Sequence, residues 1–251
     1  MDKPSRRSAP RFYVPERLSP GALIDLPERP SKHIAVLRLR EGDAITLFNG
    51  EGSEHLAELT RLTRGQCAAR ITGTIEADRE SALELTLAQC LSGSDRMDFA
   101  IQKATELGAR AIQPLESERS VVRLSGERAE RRMAHWQNIV IAACEQCGRN
   151  VVPEIGALEP LQSWLMTRPP KLESELRLLL APDAPSGLVG LSRSAHVTLL
   201  IGPEGGLAPH EQAAALKAGF TPVRLGPRTL RTETAPLAAI AALQTLWGDL
   251  G

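Results

Sequence analysis

Two runs of apolar residues in the C-terminal half, Leu176 to Leu180 and Val197 to Ile201, are broken only by Arg177 and Thr198. A strand with one wet face alternates apolar and polar side chains. Runs of this kind therefore predict strands covered on both faces, as in a parallel sheet flanked by helices. The surrounding segments carry matching helices. Leu83, Leu85 and Leu87 begin a further strand, and Met97, Ala100, Ile101, Ala104 and Leu107 then recur at helical spacing, with Gly108 where a C-terminal cap belongs. Ala111 to Leu115 reads as a short strand, and Met133, Trp136, Val140, Ala143 and Cys147 mark a second amphipathic helix. Pro209 to Ala218, Phe220 to Leu225 and Ala235 to Trp247 read as helix, strand and helix. This alternation predicts an α/β domain over residues 83–251. Aromatic residues make up only 3% of the chain, so its core must come from Leu, Ile, Val and Ala.

Upstream the texture differs. RFYV, HIAVLRL, AITLF, HLAEL and the run from Gln66 to Ile75 are short segments separated by Pro, Gly, Asp and Asn, a spacing that predicts a small β-barrel over residues 11–76. Residues 77–82 are the expected linker. Residues 1–10, basic and proline-containing, are expected to form a flexible tail. Thirty basic and thirty acidic residues cancel over the chain, so an electrostatic footprint for nucleic acid has to be local. Met1 to Arg40 holds nine Lys or Arg against four acids, a net charge of +5.

No apolar run approaches the ~20 residues that cross a bilayer, and MDKPSRRSAP has no apolar centre for a secretory signal. A cytoplasmic protein with no membrane partner is expected. Cys144 and Cys147 form a single CxxC within a helical pattern, while Cys67 and Cys90 stand alone. Zinc needs a second ligand pair, so no metal is expected. In the last helix Leu237, Ile240, Leu243, Leu246 and Trp247 spread around much of the circumference. Such a helix must be covered on more than one side, which a subunit interface would do.

Ligands of open parallel sheets lie beyond the carboxyl ends of the strands. Two loops fall there: Ile201-Gly202-Pro203-Glu204-Gly205-Gly206-Leu207, and Leu225-Gly226-Pro227-Arg228-Thr229-Leu230-Arg231-Thr232-Glu233-Thr234-Ala235. Their glycines allow backbone groups to approach a ligand closely. Neither matches a nucleotide-phosphate motif, since GxxxxGK[ST] is absent and Gly50-Glu51-Gly52 does not join a strand to a helix. A flat base with a neutral or cationic ligand suits them better than a polyphosphate. Alternatively, GPEGG is a tight turn and nothing more.

The order in which these loops follow DRMDFAIQKATELGARAIQPLESERSVVR and WQNIVIAACEQCGRNVVPEI closely resembles the ribosomal RNA small-subunit methyltransferase E family of the SPOUT superfamily. RFYV and VLRLREGDAITLFNG resemble its PUA-like N-terminal part, so the likeness extends over nearly all of the chain beyond Pro10. The resemblance implies a PUA-like RNA-binding β-barrel followed by a SPOUT-type parallel sheet with a C-terminal deep trefoil knot, and a homodimer with the final helix in its interface. It implies S-adenosyl-L-methionine as cofactor and N3 of a uridine near the 3′ end of 16S rRNA, within the small ribosomal subunit, as methyl acceptor. Another rRNA or tRNA nucleotide, or a non-catalytic assembly factor of the same fold, is the alternative.

Carried onto this sequence, the resemblance gives a cofactor site of Leu180, Ala181, Ile201, Gly202, Glu204, Gly205, Gly206, Leu225, Gly226, Leu230, Arg231, Thr234 and Ala235. N3–H is a weak acid, so transfer needs proton loss, and Arg231 and Glu233 are the catalytic candidates. Arg231 could instead be a structural cap or ion-pair partner, and Glu233 could serve the helix dipole. Glu106, Glu145, Gln146 and Arg149 are candidates for the cleft wall. For RNA the expected contacts are Arg11, Arg38, Arg40, Arg119, Arg123 and Arg149.

Overall fold

The computed structural model describes residues 9–63 and 65–251; most of the expected N-terminal tail, residues 1–8, lies outside the described residues. The elements in chain order are β1 (Arg11–Tyr13), β2 (Leu23–Leu26), α1 (Glu28–Val36), β3 (Ala44–Phe48), β4 (Ser53–Thr63), β5 (Gln66–Glu76), β6 (Glu84–Cys90), α2 (Ser94–Glu106), β7 (Ala111–Glu116), α3 (Gly126–Cys147), β8 (Glu154–Ile155), β9 (Glu159–Pro160), α4 (Leu161–Thr167), β10 (Glu175–Leu180), β11 (His196–Ile201), α5 (Pro209–Lys217), β12 (Thr221–Val223) and α6 (Thr234–Trp247). No helix among the described residues is long and apolar enough to cross a membrane. The chain divides into two compact units, residues 1–80 with 144–152, and residues 81–143 with 153–251.

The first unit holds a five-stranded sheet in the order β1-β3-β4-β5-β2, antiparallel except where β1 runs parallel to β3. Phe12, Val14, Leu26, Ile45, Leu47, Leu59 and Ile71 fill its core, and α1 adds Ile34. That helix replaces the strand expected from HIAVLRL. Pro30, Ser31 and Ile34 are buried while Val36 is exposed, which fits a helical face and not the shared side that alternate residues of a strand would have. Arg38, at φ 56°, takes the left-handed position that usually falls to glycine after a helix. Its amide donates to Ala35 O and that of Leu39 to Ile34 O, closing the turn.

Residues 144–152 complete this unit. Glu145 accepts the Tyr13 amide at 3.1 Å and Arg29 Nη2 at 2.9 Å. Arg11 donates to Glu54 at 2.6 Å, to Asn150 Oδ1 at 2.6 Å and to Arg149 O at 3.2 Å. Burial pushes the Cys144 thiol up to about 12, so it stays protonated.

The second unit is the parallel sheet expected from the apolar runs, in the order β12-β10-β11-β6-β7-β8 with β9 also on β7. Register places Leu179, Leu200 and Ala88 side by side, and Leu178, Leu199 and Leu87 in the next row. Since neighbours along a strand point to opposite faces, both rows are buried only if both faces are covered. Trp164 and Leu165 of α4 with Ala215 of α5 and Phe220 pack on the first row. α2 packs on α6, and α6 on β11.

Arg177 interrupts the β10 run yet is only 1% exposed. Its guanidinium holds both oxygens of Glu175 at 2.8 Å and donates to Ala218 O and Pro169 O. Burial works to raise the Glu175 pKa, but Arg177 and Arg168 outweigh it and hold the carboxyl ionised below its usual range. The charge is thus tolerated inside because each of the three guanidinium nitrogens of Arg177 has an acceptor and its charge has a carboxylate partner.

Candidate active site

β10, β11 and β12 are neighbours in the order β12-β10-β11, so the loops leaving their carboxyl ends converge. They enclose a cleft of about 740 Å³ lined by residues 179–183, 201–207, 223–226 and 228–233, with Arg96, Gln212 and Ala235. This is the size of a small-molecule site. β6 and β11 are adjacent although β7 and β8 continue the sheet on the other side of β6. The chain reverses its winding there, where such folds bind ligands.

The walls are held by polar links between distant segments. Thr232 Oγ1 donates to Gly202 O at 2.9 Å and receives Gln89 Nε2 at 3.2 Å, tying both loops to the end of β6. Glu204 Oε1 accepts the Gly93 amide at 3.0 Å, just before α2, and Arg96 Nη1 at 2.6 Å. Burial opposes the charge of Glu204, but these hydrogen bonds overcome it and keep the pKa below the usual carboxylate range. Arg119 Nη1 donates to Gly205 O at 3.1 Å. Glu211, buried in the first turn of α5, accepts the amides of Ala208 at 2.9 Å and Glu118 at 2.8 Å.

Two groups lack such partners. Glu233 Oε2 is buried without a hydrogen bond, its nearest cation being Arg96 Nε at 3.9 Å. Arg231 is exposed at the cleft and its guanidinium has no hydrogen bond or ion pair among the described residues, while its carbonyl accepts the amides of Thr234 and Ala235 and so begins α6. The side chain is therefore not a cap.

Leu180, Ala181, Ile201, Gly202, Glu204, Gly205, Gly206, Leu225, Gly226, Leu230, Arg231 and Ala235 all line the cleft, with Glu233. Thr234, at the start of α6, does not. The glycines differ in purpose. A Cβ on Gly202 would come within 3.3–3.4 Å of the Leu207 amide and Gly206 backbone, and Gly206 has φ +67°, whereas one on Gly205 would meet the Arg119 side chain at 3.5 Å. At Gly205 the added carbon would make an ordinary contact, whereas Gly202 lets the loop close on itself.

The expected RNA contacts separate. Arg38 and Arg40 are exposed on the first unit. Arg11 is instead locked between Glu54 and Asn150, and Arg149, 4% exposed, is paired with Glu80, so neither presents its charge to solvent. Arg123 is exposed but clamps Glu116, Ser117 O and Glu118 O. Glu106 pairs with Lys103, Glu145 serves the first unit, and with exposed Gln146 none of the helix-borne candidates lines the cleft. No group of metal-ligating side chains occurs among the described residues. Sequence reasoning missed Arg96, Gln89 and Glu211, whose partners lie 108, 143 and 93 residues away.

The chain matches the family model of an RNA methyltransferase domain over residues 79–244 and that of an RNA methyltransferase PUA domain over residues 26–72. It is 35% identical to the ribosomal RNA small subunit methyltransferase E of Buchnera aphidicola subsp. Schizaphis graminum, with 98% of this chain and 99% of that one covered. The crystal structure of the Neisseria gonorrhoeae ribosomal RNA small subunit methyltransferase E bound to S-adenosyl methionine superposes with a TM-score of 0.90 at 46% identity, covering 97% of this chain and 100% of that one. A Legionella pneumophila methyltransferase structure with bound SAM gives 0.92 at 38% identity, with the same coverage. A family model that spans most of the chain, and relatives matched from end to end, place the cleft in a known setting: this chain belongs to the ribosomal RNA small subunit methyltransferase E family.

Proposed function

We propose that this chain methylates N3 of a uridine near the 3′ end of 16S rRNA, within the small ribosomal subunit, with S-adenosyl-L-methionine as methyl donor. The observation that carries the reading is a glycine-walled cleft lined both by Arg231, whose side chain has no partner among the described residues, and by Glu233, one of whose carboxylate oxygens is buried without a hydrogen bond. A buried acceptor without a donor is costly, and a ligand's donor would satisfy it. The residues fit the cofactor: Gly202, Gly205, Gly206 and Gly226 line the cleft without side chains and leave room for a base and ribose, and the apolar wall of Leu180, Leu225 and Leu230 suits a flat ring. When bound, the cofactor supplies an electrophilic methyl group on sulfonium sulfur.

The protein's part is then positioning and charge. Arg231 stabilises negative charge as the uracil ring loses its N3 proton, and Glu233 accepts that proton. Residues 11–76 act as the RNA-binding PUA-like module, with Arg38 and Arg40 as its phosphate contacts, and residues 83–251 as the catalytic domain. The three loops at the cleft are the ones the trefoil knot would thread. The enzyme acts in the cytoplasm as a homodimer.

The test is to incubate the protein with unmodified small subunits and labelled cofactor, then map the product by mass spectrometry. A single N3-methyluridine near the 3′ end of the rRNA is expected. Methylation elsewhere, or of tRNA, would replace the substrate, and cofactor binding without transfer would make the chain an assembly factor.

A further inference from the structure

The octapeptide from Arg224 to Arg231 holds three arginines and no acid, in a chain whose thirty basic and thirty acidic residues balance overall. Arg224, Arg228 and Arg231 are all exposed, and all line the cleft. They contrast with the other cleft arginines. Arg96 is tied to Glu204 and Arg119 to Gly205 O, whereas no hydrogen bond or ion pair engages the side chains of Arg224 and Arg228 among the described residues. The backbone that carries them is fixed nonetheless. The Arg224 amide donates to Ser186 O at 2.9 Å, Gly226 turns the chain at φ +74°, and Arg231 O anchors α6. Three like charges held on an ordered rim, with no ion pair among the described residues, raise the local positive potential. Of the three acids that line the same cleft, Glu204 is used by Arg96, Glu233 has one oxygen buried, and exposed Asp183 offsets one charge at most, which leaves the rim basic.

We propose that Arg224 and Arg228 form a phosphate-binding rail on the cleft rim that grips the backbone of the RNA strand whose base enters the cleft. The assignment rests on the methyl-transfer reading and adds to it the surface of this unit that holds the substrate. A base presented for chemistry has to leave its stack, and recognition of RNA at such places combines contacts to an unstacked base with contacts to its flanking phosphates. Arginine suits the second task because its planar fork meets two phosphate oxygens at once. A rail here lets the strand be held by the same loop that carries Arg231, so that capture and chemistry share one rigid segment.

The experiment measures binding of the full-length protein to small ribosomal subunits lacking the methyl mark, over a series of salt concentrations. Wild type, Arg224→Ala with Arg228→Ala, and Arg224→Lys with Arg228→Lys are compared, with S-adenosyl-L-methionine affinity measured in parallel by calorimetry. Each phosphate contact contributes about 0.7 to 0.9 to the slope of log affinity against log salt. The double alanine variant should therefore flatten the slope by roughly 1.4–1.8, the double lysine variant should keep it, and cofactor affinity should stay at the wild-type value in both. An unchanged slope in the alanine variant overturns the rail. So does a fall in cofactor affinity with subunit binding intact, which would assign these arginines to the methyl donor. If wild-type protein binds the cofactor but neither binds nor methylates subunits, the functional reading itself fails, and that outcome is visible without any variant.

Discussion

Arg96 and Arg231 line the same cleft, yet of the two only the Arg96 side chain has a partner among the described residues. A guanidinium with no partner loses nothing structural when removed. Arg231→Ala should therefore leave thermal stability and cofactor affinity near wild type while slowing single-turnover methyl transfer by about 10²–10³, the usual cost of one preorganised charge-stabilising donor. A wild-type transfer rate in a stable variant would rule out the catalytic role. Glu204 is the opposite case, a carboxylate whose Oε1 accepts from both the Gly93 amide and Arg96. Because its folded pKa is depressed, its stabilising contribution is present above the unfolded value of about 4.3 and is lost as the pH falls through the folded one. Glu204→Gln should lower the melting temperature at neutral pH, and the gap to wild type should close on acidification below about pH 4. Melting curves across that range check the sign.

At the level of elements, the β11 to α5 loop depends on one glycine more than the others. Gly202→Ala would press a methyl group against backbone at 3.3–3.4 Å, so the loop must open, and calorimetry should show cofactor binding weakened at least tenfold with the sheet intact. Gly205→Ala should do less, because its methyl group would meet Arg119 at an ordinary contact distance of 3.5 Å. The parallel sheet and its loops were legible because doubly buried strands leave an unbroken apolar signature and glycine marks the turns that follow. β2 and α4 passed unread, Leu23–Leu26 and Leu161–Thr167 being too short to show a period. α1 reads as a strand because Ile34 to Leu37 is a short unbroken apolar run, which periodicity alone does not assign to helix or strand, while the turn that begins the helix is polar. In the cleft, residues contiguous in sequence could be read and Arg96 could not, since nothing in DRMD announces a carboxylate 108 residues onward. Likewise the sequence cannot distinguish a solvated arginine from Arg11 or Arg149, whose partners arise only from tertiary structure.

For the whole molecule the expected dimer makes the clearest demand. α6 buries Pro236, Ala239, Ile240, Leu243 and Gln244, but Leu246 is 50% exposed and Ala241, Ala242 and Trp247 are only partly covered. Sedimentation at micromolar concentration should find a dimer, and Leu246→Glu should shift it toward monomer with loss of transfer activity; an active wild-type monomer would refute the interface. The first unit makes a demand of another kind. Asn150 and Glu145 hold Arg11, Tyr13 and Arg29, so the polar seams of the N-terminal sheet are closed by residues made long after it. At about 5–20 residues per second, roughly 4–14 s of synthesis separate Glu80 from Val152. Released as a fragment, residues 1–80 should be open to proteases that the full chain resists. On the translating ribosome all five strands are made before these partners, so until α3 and Asn150 have followed them out Arg11, Tyr13 and Arg29 lack the polar contacts that close the seams in the mature protein.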